Sequence, residues 1–401
     1  MFKCLKISKI IFYMKITKNI IIIGSTGTVG QHAVKLVQND LSSFNTLAVV
    51  AYSNYNGLAS DAKKIQAKSA IIIDNEHYLK LKNILDVTNI QSHSGEQALF
   101  NMFANEKNLT VVIASSGTAT IKYLYEALKY NHTIALANKE SIVCGGEFMQ
   151  EHIKKSSSKI IPIDSEHNAL YQLIEPHNHE NIHQLIITAS GGPFVNLSLN
   201  ELKNVRKEDA LNHPTWNMGN KITIDSATMV NKALEFIETS YLFNMPYNKI
   251  DVLLHRQSIM HGAVSYIDGS FLANCYTPSM AVPVAFALYY PHRKPTTVAP
   301  LNLSEIGSLK FEAIDENRFK PIAWAKNVLK LGGTYPMIMN VANEIAVLSF
   351  LNNIISFVQI FDVIEYCLNK IQSKSIHSFE NLIEEYEYIN KIANNYIKGL
   401  S

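Results

Sequence analysis

The stretch NIIIIGSTGTVG, Asn19 to Gly30, decides the fold class because it combines a buried strand, a glycine turn and a helix start in direct succession. Its glycines, Gly24, Gly27 and Gly30, recur at i, i+3 and i+6. The first glycine permits a tight turn, the second lets backbone amides approach a pyrophosphate, and the third permits close packing of helix on strand. The helix N-terminus adds positive potential. The pattern predicts a dinucleotide-binding turn; the alternative is a glycine-rich turn that binds nothing.

The sequence beyond this stretch continues to alternate apolar runs with helical patterns. Short apolar segments such as NTLAVVAYS, SAIIID and LTVVIASSG are separated by helix-length segments up to about residue 150. Continuous apolar strands of this kind are typical of a parallel sheet that helices cover on both faces. We therefore predict an α/β chain with an N-terminal Rossmann-like dinucleotide-binding domain.

Later segments change character. Strand patterns become more frequent and partly antiparallel, with a turn at Asp268 and Gly269, and a Pro-, Thr- and Ser-rich stretch then precedes four segments of helical periodicity. These patterns predict a central α+β catalytic domain and a C-terminal helical bundle. The predicted limits are 1–150 for the Rossmann-like domain, 151–295 for the catalytic domain with a metal site and a flap, 296–315 for a linker and 316–401 for the helical domain.

Composition narrows the class of protein. Of 401 residues, 47% are hydrophobic and 17% charged, and the net charge is +2, from 36 basic and 34 acidic residues. This balance predicts a globular chain with a substantial core and with neither a nucleic-acid partner nor a membrane anchor. The four cysteines form no CxxC pair, which favours reduced thiols in the cytoplasm over a disulfide framework or a zinc site.

The N-terminus, MFKCLKISKIIFYMKITKN, has an apolar stretch that Lys6, Lys9 and Lys15 interrupt. It lacks the continuous core and small-residue cleavage site of a signal peptide, and it is too short and too charged to span a bilayer. Met14 directly precedes KITKNIIIIG, so translation could start at either methionine. A transit peptide is the alternative, weakened by the absence of arginine.

The segment AYSNYNG follows the second predicted strand, where the adenosine ribose of a dinucleotide would lie. A carboxylate there favours a free 2′-hydroxyl, and the segment has none. Ser53, Asn54 and Asn56 could donate hydrogen bonds to a 2′-phosphate. The segment therefore favours NADP over NAD.

The segment DSATMVNKALE, Asp225 to Glu235, predicts a helix with several polar groups on one face. If Asp225 or Ser226 caps this helix, Asn231 and Glu235 are spaced i,i+4, and Lys232 and Glu235 i,i+3. An amide, a cation and a carboxylate could then reach one pocket. This set suits a ligand with a phosphate and a metal-bound oxygen; the alternative is an amphipathic helix with an ordinary surface ion pair.

The segment IPIDSEHN carries two further carboxylates, Asp164 and Glu166. In an extended segment these residues lie at i and i+2 and point to the same side. Together with Glu235 they would form an all-oxygen set, which favours Mg²⁺ or Mn²⁺ over zinc. The alternative is a polar loop after a strand.

Two loops add candidate contacts. ASGGPF exposes amides beside the Ser190 hydroxyl, which suits a small anion. NHPTWNMGNK mixes His213, Trp216 and Met218 with proline and glycine, and such a loop favours a lid over a core segment. Taken alone, His213 is more typical of a structural than a catalytic histidine.

ALANKES places Lys139 at the carboxyl end of a late strand. Ligands of open α/β sheets bind at this edge. With Asn138 and Glu140 beside it, Lys139 could contact both a cofactor and a substrate. The alternative is a solvated lysine.

In their order and spacing, GSTGTVG, ALANKES, IPIDSEHNAL, TASGGPF, HPTWNMGNKITIDSATMVNKALE and GGTYPMIMNVANEIAV closely resemble the 1-deoxy-D-xylulose 5-phosphate reductoisomerase family. The resemblance covers nearly the whole chain after Met14. It implies a rearrangement of a ketose phosphate, by a retro-aldol/aldol or ketol shift, followed by reduction with NADPH to 2-C-methyl-D-erythritol 4-phosphate for isoprenoid synthesis. It also implies Mg²⁺ or Mn²⁺, a sugar phosphate substrate and a homodimer.

The resemblance assigns roles residue by residue. The implied metal ligands are Asp164, Glu166 and Glu235. The catalytic set adds Lys139 and His213 to these three. The implied substrate contacts are Lys139, Ser165, Glu166, Ser190, His213, Trp216, Met218, Ser226, Asn231, Lys232 and Glu235, with Trp216 and Met218 in a closing flap. The cofactor set, together with the contacts predicted from the turns, is Gly24, Thr26, Gly27, Thr28, Val29, Gly30, Asn54, Asn56, Asn138, Glu140 and Gly219.

Two positions depart from the family's pattern. The usual Gly-Lys-Asn run after the second strand is replaced by Asn54, Tyr55 and Asn56, so a lysine that bears on NADPH preference is missing. The usual Ser-Ile of the glycine turn is Thr28 and Val29, which keeps a hydroxyl and a β-branched residue.

Two rival functions fit parts of the pattern. An aspartate semialdehyde dehydrogenase shares the glycine loop, but its chemistry needs an activated cysteine, and neither Cys144 in IVCGG nor Cys275 in ANCYT has the expected surroundings. A non-catalytic NADP-binding sensor would have no need of three carboxylates with Lys139 and Lys232. Alanine substitution of Glu235 would leave such a sensor unaffected.

Overall fold

The computed structural model describes residues 17–198, 200–212, 216 and 218–400. The first sheet has seven parallel strands in the order β4-β3-β2-β1-β5-β6-β7. Its strands are β1 Lys18–Ile23, β2 Phe44–Ala51, β3 Ser69–Ile72, β4 Gln91–Ser94, β5 Thr110–Ile113, β6 Thr133–Leu136 and β7 Lys159–Pro162. The helices between them are α1 Thr28–Asn39, α2 Tyr55–Lys64, α3 Tyr78–Leu85, α4 Glu96–Asn105, α5 Ile121–Ala127 and α6 Glu140–Lys155. This arrangement confirms the predicted Rossmann-like α/β fold.

The four isoleucines of β1 show why this strand is central. Ile20 and Ile22 pack into one hydrophobic cluster, whereas Ile21 and Ile23 pack into another on the opposite face. Successive side chains of a strand point to opposite faces, so a continuous apolar run is buried only when both faces are covered. Each buried isoleucine stabilises the fold by about 1.5–3 kcal/mol.

The second sheet has five strands in the order β11-β10-β8-β9-β12. Its strands are β8 Ile182–Ala189, β9 Ile250–Leu254, β10 Met260–Tyr266, β11 Phe271–Cys275 and β12 Glu312–Ala313. β8 pairs with β9 in parallel, whereas the other three pairs are antiparallel. The turn between β10 and β11 contains Asp268 and Gly269, as predicted, and Gly269 has a φ of +87°.

The remaining helices follow the first sheet in the chain. They are α7 Ser165–Leu173, α8 Lys207–Ala210, α9 Asn220–Thr228, α10 Val230–Leu242, α11 Ala281–Tyr289 and α12 Leu303–Ile306. The predicted C-terminal bundle comprises α13 Lys320–Leu331, α14 Tyr335–Leu351, α15 Gln359–Lys370 and α16 Phe379–Lys398. No described helix combines the length and hydrophobicity that a membrane crossing requires.

The predicted domain limits differ from the structure at three places. Residue 150 lies inside α6, and the first sheet continues to β7. The predicted linker, 296–315, contains α12 and β12, and β12 extends the second sheet by pairing with β9. α11, within the predicted catalytic domain, packs on the first sheet, where Val284 and Leu288 join the cluster that contains Ile20. Apolar patterns alone could not assign these segments, because their partners are distant in sequence.

Candidate active site

Three carboxylates from two elements converge beside the end of the first sheet. Asp164 is the N-cap of α7, Glu166 lies in the first turn of that helix, and Glu235 lies on α10. Their ligand oxygens all lie within 4.8 Å of one another. Asp164 Oδ2 is buried, and the Lys139 ammonium lies 2.7 Å from it. An all-oxygen set of this size fits a hard divalent cation.

Two lysines lie among these carboxylates. Lys139 Nζ is 2.7 Å from Asp164 Oδ2 and 3.0 Å from Glu235 Oε1, and it donates to Asn231 Oδ1 at 2.7 Å. Lys232 Nζ is 2.5 Å from Glu166 Oε1 and also pairs with Glu235 Oε2. Every carboxylate of the cluster therefore has a lysine partner.

The electrostatics follow from burial and from these pairs. Burial alone would lower the pKa of Lys139, but Asp164 and Glu235 raise it well above its ordinary value. Burial and the neighbouring Glu235 raise the pKa of Glu166. Burial would also raise the pKa of Asp164, yet the Lys139 ammonium holds it well below its usual range. The cluster therefore keeps charges of both signs in a buried place.

The geometry corrects two predictions made from the sequence. Asp164 and Glu166 do not share an extended segment, because a helix begins at Ser165 and its first turn brings both carboxylates to one side. DSATMVNKALE is not one helix with a cap at Asp225 or Ser226. It spans the end of α9 and the start of α10, which meet at Met229 with a φ of +63°.

Lys232 and Asn231 nevertheless reach Glu235, as their spacing predicted. Lys232 and Asn231 each donate a hydrogen bond to a different oxygen of Glu235. Side chains three and four residues apart lie on one helical face. The local spacing was therefore sufficient to predict that Asn231 and Lys232 contact Glu235, even though the predicted start of the helix was wrong.

The turn after β8, which contains Gly191 and Gly192, brings Ser190 next to α9. Gly191 and Gly192 have φ values of +87° and +67°, a region that favours glycine. A Cβ at Gly192 would lie 2.6 Å from the backbone oxygen of Ser226, so the turn packs directly on that helix. Ser190, Ser226, Asn231 and Lys232 all line the same cavity, and hydroxyl, amide and ammonium donors of this kind can bind an anion.

One cavity of about 160 Å³ joins the two halves of the predicted site. The predicted residues that line it are Thr28, Val29, Lys139, Asp164, Ser165, Glu166, Ser190, Trp216, Met218, Gly219, Ser226, Asn231, Lys232 and Glu235. His213, predicted in the flap, lies outside the described residues. The described flap residues, Trp216 and Met218, contribute apolar surface to the cavity wall.

The glycine turn that joins β1 to α1, Gly24 to Gly30, has the geometry that its sequence predicts. Gly24 has a φ of +79°, and a Cβ on Gly30 would lie 2.0 Å from the backbone oxygen of Gly24. Gly27 is the N-cap of α1 and, as a glycine, has no side chain with which to cap the first amides of that helix. A tight turn, close helix packing and an open helix start fit a dinucleotide pyrophosphate.

Other predicted cofactor residues do not line this cavity. Asn54 accepts a hydrogen bond from Gly57 N and so caps α2, and Asn56 is exposed on the same helix. Asn138 Nδ2 donates to Glu140 Oε2 at 2.9 Å, and both residues are buried. Thr26 lies against Gly57, since a Cβ added to Gly57 would be 3.0 Å from the methyl group of Thr26. The cofactor roles of these residues stay predictions.

Several lining residues had no prediction. His261, Ser258 and Met280 contribute to the cavity wall. His261 stacks on Tyr276 with ring centroids 3.8 Å apart, and burial lowers its pKa to about 4. The run HRQSIMHG, with two histidines and a serine, is the signal in the sequence that could have identified them.

A buried polar pair next to the carboxylates, His167 and Glu238, was also not predicted from the sequence. His167 Nδ1 lies 3.2 Å from Glu238 Oε2, and its Nε2 is 3.0 Å from the backbone oxygen of Glu235. Burial would lower the pKa of His167, but Glu238 and Asp164 raise it to about 9. His167 therefore links α7, which carries Asp164, to Glu235 and Glu238 of α10.

The cysteines give no support to a thiol nucleophile among the described residues. Cys144 is buried, and burial raises the pKa of its thiol to about 12. Burial also raises the pKa of Cys275. Nucleophilic cysteines need the opposite shift.

The parallel sheet with its glycine turn, open to a cavity of carboxylates and lysines, defines the class of Rossmann-like reductases. Three family profiles match the chain: 1-deoxy-D-xylulose 5-phosphate reductoisomerase at residues 20–146, the C-terminal domain of that enzyme at 160–243, and the DXP reductoisomerase C-terminal domain at 276–391. The chain belongs to the 1-deoxy-D-xylulose 5-phosphate reductoisomerase family.

Relatives and solved structures agree over most of the chain. The reductoisomerase of Clostridium novyi (strain NT) is 40% identical over 91% of this chain and 96% of its own length. That of Bacillus subtilis (strain 168) is 41% identical over 88% and 93%. The Zymomonas mobilis enzyme, solved in complex with NADPH, superposes with a TM-score of 0.89 at 35% identity, covering 95% of this chain and 99% of that one. A DOX-P reductoisomerase solved with NADPH, fosmidomycin and magnesium gives a TM-score of 0.90 at 34% identity, covering 96% and 99%.

Proposed function

We propose that the chain catalyses the NADPH-dependent and divalent-metal-dependent rearrangement and reduction of 1-deoxy-D-xylulose 5-phosphate to 2-C-methyl-D-erythritol 4-phosphate, in the non-mevalonate isoprenoid pathway. The observation that carries the proposal is a cavity, lined by described residues, that joins Thr28 and Val29 of the glycine turn to the carboxylate and lysine cluster. A hydride donor and a metal-chelating ketose could meet there.

Asp164, Glu166 and Glu235 would hold Mg²⁺ or Mn²⁺, and the glycine turn would hold the NADPH pyrophosphate. When bound, the metal supplies Lewis-acid polarisation of adjacent substrate oxygens and the cofactor supplies the hydride. Related enzymes have been solved with magnesium and with NADPH.

The chain's own residues would bind, orient and shield the substrate. Lys232, Asn231 and the hydroxyls of Ser190 and Ser226 would bind the phosphate, away from the reacting carbons, so that binding energy serves positioning. Lys139 would donate to the sugar oxygens, since its raised pKa keeps it protonated. Trp216 and Met218 would exclude water from the reacting aldehyde.

The decisive experiment follows NADPH absorbance with 1-deoxy-D-xylulose 5-phosphate as substrate. Mg²⁺, Mn²⁺ or excess chelator is added in parallel, and the series is repeated with NADH. We expect metal-dependent oxidation that chelator abolishes. A folded, metal-supplied protein that oxidises no cofactor would contradict the proposal, and retained NADPH binding in that case would favour the sensor.

We also propose a cytoplasmic homodimer. β11 is an edge strand of the second sheet, and Phe271 and Leu272 on it are 53% and 38% exposed. An unpaired apolar edge strand favours pairing with another chain. A second copy of this chain is the partner that the family resemblance implies.

A further inference from the structure

One family motif, GGTYPMIMNVANEIAV, has no part in the proposed chemistry. Its polar residues Asn340, Asn343 and Glu344 lie on α14, an otherwise apolar helix of the C-terminal bundle. Asn340 and Asn343 are fully buried. Buried amides and carboxylates cost free energy unless they are paired. Their partners therefore indicate what the motif does.

Glu344 and Asn340 hold the turn that follows β5. Thr118 Oγ1 donates to Glu344 Oε2 at 2.9 Å, and Asn340 Nδ2 donates to Thr118 Oγ1 at 3.1 Å. The preceding residue, Gly117, has a φ of +87°, and a Cβ there would lie 3.0 Å from Glu344 Oε1. α14 thus packs closely on this turn.

The same turn supports the glycine turn of the predicted cofactor site. β5 is the direct neighbour of β1 in the sheet. A Cβ on Gly24 would lie only 2.5 Å from the backbone nitrogen of Ser115, so the two turns are in contact. A shift of the turn after β5 would therefore move the wall of the cofactor site.

Asn343 reaches the other half of the cavity. Its Nδ2 donates to Asp225 Oδ1 at 2.7 Å, and Asp225 Oδ2 lies 2.8 Å from Lys221 Nζ. Both partners are on α9, which begins directly after Gly219 of the flap. α14 therefore holds the helix to which the flap is attached.

A lysine closes the network. Lys221 Nζ donates to Glu140 Oε1 at 3.1 Å, and Glu140 Oε2 accepts from Asn138. These two residues flank Lys139 in the turn after β6. Burial opposes the charge of Lys221, but Asp225 and Glu140 raise its pKa. The network connects α14, α9 and the turn after β6 through the donors of its amide and ammonium groups, whereas Asn340 Oδ1 and Asn343 Oδ1 accept no hydrogen bond from the described residues.

We infer that Asn343 and Glu344 are positioning residues that fix helix α9 and the turn after β5 relative to each other, so that cofactor binding and the flap are coupled through the C-terminal domain. The inference rests on the proposed function, since it takes NADPH as the cofactor. Neither residue lines the cavity. Both act through the elements that they hold.

The test compares Asn343→Ala and Glu344→Gln with Val347→Ala. Val347 is buried on the same helix, and it takes no part in the hydrogen-bond network described above. The parent and all three variants carry Trp324→Phe, which leaves Trp216 in the flap as the single tryptophan of each protein. NADPH affinity is titrated by the cofactor's own fluorescence. The emission of Trp216 is recorded with saturating NADP⁺, which does not absorb it.

We expect the Asn343 and Glu344 variants to weaken NADPH binding about tenfold, a typical coupling between sites. We also expect NADP⁺ to change the emission of Trp216 in the parent and to change it less in these variants, even at saturation. Val347→Ala is expected to lower the melting temperature through its cavity while keeping both readouts. Glu344→Gln preserves volume, so it tests the inference even if Asn343→Ala does not fold.

A rescue pair gives an independent readout. Thr118→Ser keeps the hydroxyl that bonds Glu344, whereas Thr118→Val removes it, so only the valine variant is expected to weaken NADPH binding. Variants that lose stability but keep NADPH affinity and the Trp216 response would overturn the inference, as would a parent whose Trp216 does not respond. A parent that binds no NADPH would instead overturn the proposed function.

Discussion

Glu235 is the residue on which the charges of the site converge. It is 1% exposed, and its two oxygens pair with Lys139 and with Lys232. Truncating one partner of a buried ion pair leaves the other charge uncompensated, which typically costs about 3 kcal/mol or more. The same carboxylate is a proposed metal ligand. Structure and activity therefore depend on one side chain.

Glu235→Gln tests this dependence. We expect the metal-free variant to lose about 3 kcal/mol of stability, because two buried ammonium groups lose part of their compensation. We expect turnover to fall by roughly 100-fold or more, since a metal ligand is lost. Chemical denaturation and the NADPH assay measure the two effects.

The matched control is Glu151→Gln. Glu151 forms an exposed pair with Lys155, and exposed pairs contribute about 0–1 kcal/mol. This variant is expected to match the parent in both assays. A Glu235→Gln protein with unchanged stability and unchanged turnover would show that neither folding nor catalysis depends on the charge of Glu235.

At the scale of single residues, local spacing predicted the site better than distant pairing. Asn231, Lys232 and Glu235 could be placed together because helical periodicity acts over one turn. His167 and Glu238 could not, because their contact joins α7 to α10 and depends on how those helices pack. Sequence patterns contain no direct record of such long-range contacts.

The two glycines that flank the start of α1, Gly27 and Gly30, differ in how closely they are packed. A Cβ at Gly30 would lie 2.0 Å from a backbone oxygen, whereas at Gly27 its closest contact would be 3.4 Å. Gly27 has a φ of −84°, which alanine adopts readily. We predict that Gly30→Ala destabilises the protein by about 1–3 kcal/mol through overpacking.

Gly27→Ala is the contrasting variant. We expect it to keep the melting temperature of the parent and to weaken NADPH binding, because the new methyl group lies where amides would approach the pyrophosphate. Thermal unfolding and NADPH titration separate the two effects. Equal stability loss in both variants would disagree with the geometry described for the turn.

Lys18 ties the start of β1 to the end of α11. Its Nζ donates to the backbone oxygens of Leu288 and Tyr290 at 2.9 and 2.5 Å. Burial, aided by the nearby charge of Lys294, lowers the pKa of Lys18 from 10.5 to about 8. The unfolded chain therefore binds more protons than the folded chain between these pH values. The contribution of Lys18 to stability accordingly rises with pH across this window.

Lys18→Met should remove that rise. We expect the difference in melting temperature between parent and variant to shift in favour of the parent from about pH 8 to about pH 10, and to be constant below about pH 7. Melting curves across this range measure it. A difference that does not vary with pH would mean that Lys18 titrates normally.

At the scale of elements, the parallel strands could be predicted because their apolar runs are continuous and buried on both faces. The start of α7 could not, since IPIDSEHN fits a strand until the Asp164 cap ends the extended conformation. The break between α9 and α10 was also missed. Met229 carries no turn signal in the sequence, although its left-handed conformation is uncommon for a residue other than glycine.

At the scale of the whole molecule, edge strand β11 of the second sheet presents an apolar surface that suits a second copy. Phe271 and Leu272 extend along the edge strand β11, and Ile267 in the adjoining turn is 68% exposed. We predict that Leu272→Glu converts the proposed dimer into a monomer, because like charges would face each other across a two-fold contact. Sedimentation velocity measures the change.

Leu79→Glu is the control for this experiment. Leu79 is 68% exposed on α3, away from the second sheet. It should leave the sedimentation coefficient unchanged. A parent that sediments as a monomer at all concentrations would remove the basis of the dimer proposal.

The abrupt bend at Met229 has a consequence for which lengths of chain are compatible with this fold. Only Met229 separates α9 from α10, so no flexible loop lies between Ser226 and Glu235. One inserted residue between Val230 and Glu235 would rotate the carboxylate by about 100° around the helix axis, out of the cavity. At Gly269, by contrast, an added Cβ would meet nothing within 4 Å, and neither Asp268 nor Gly269 lines the cavity. Homologous chains should therefore vary more in length at this turn than across the bend.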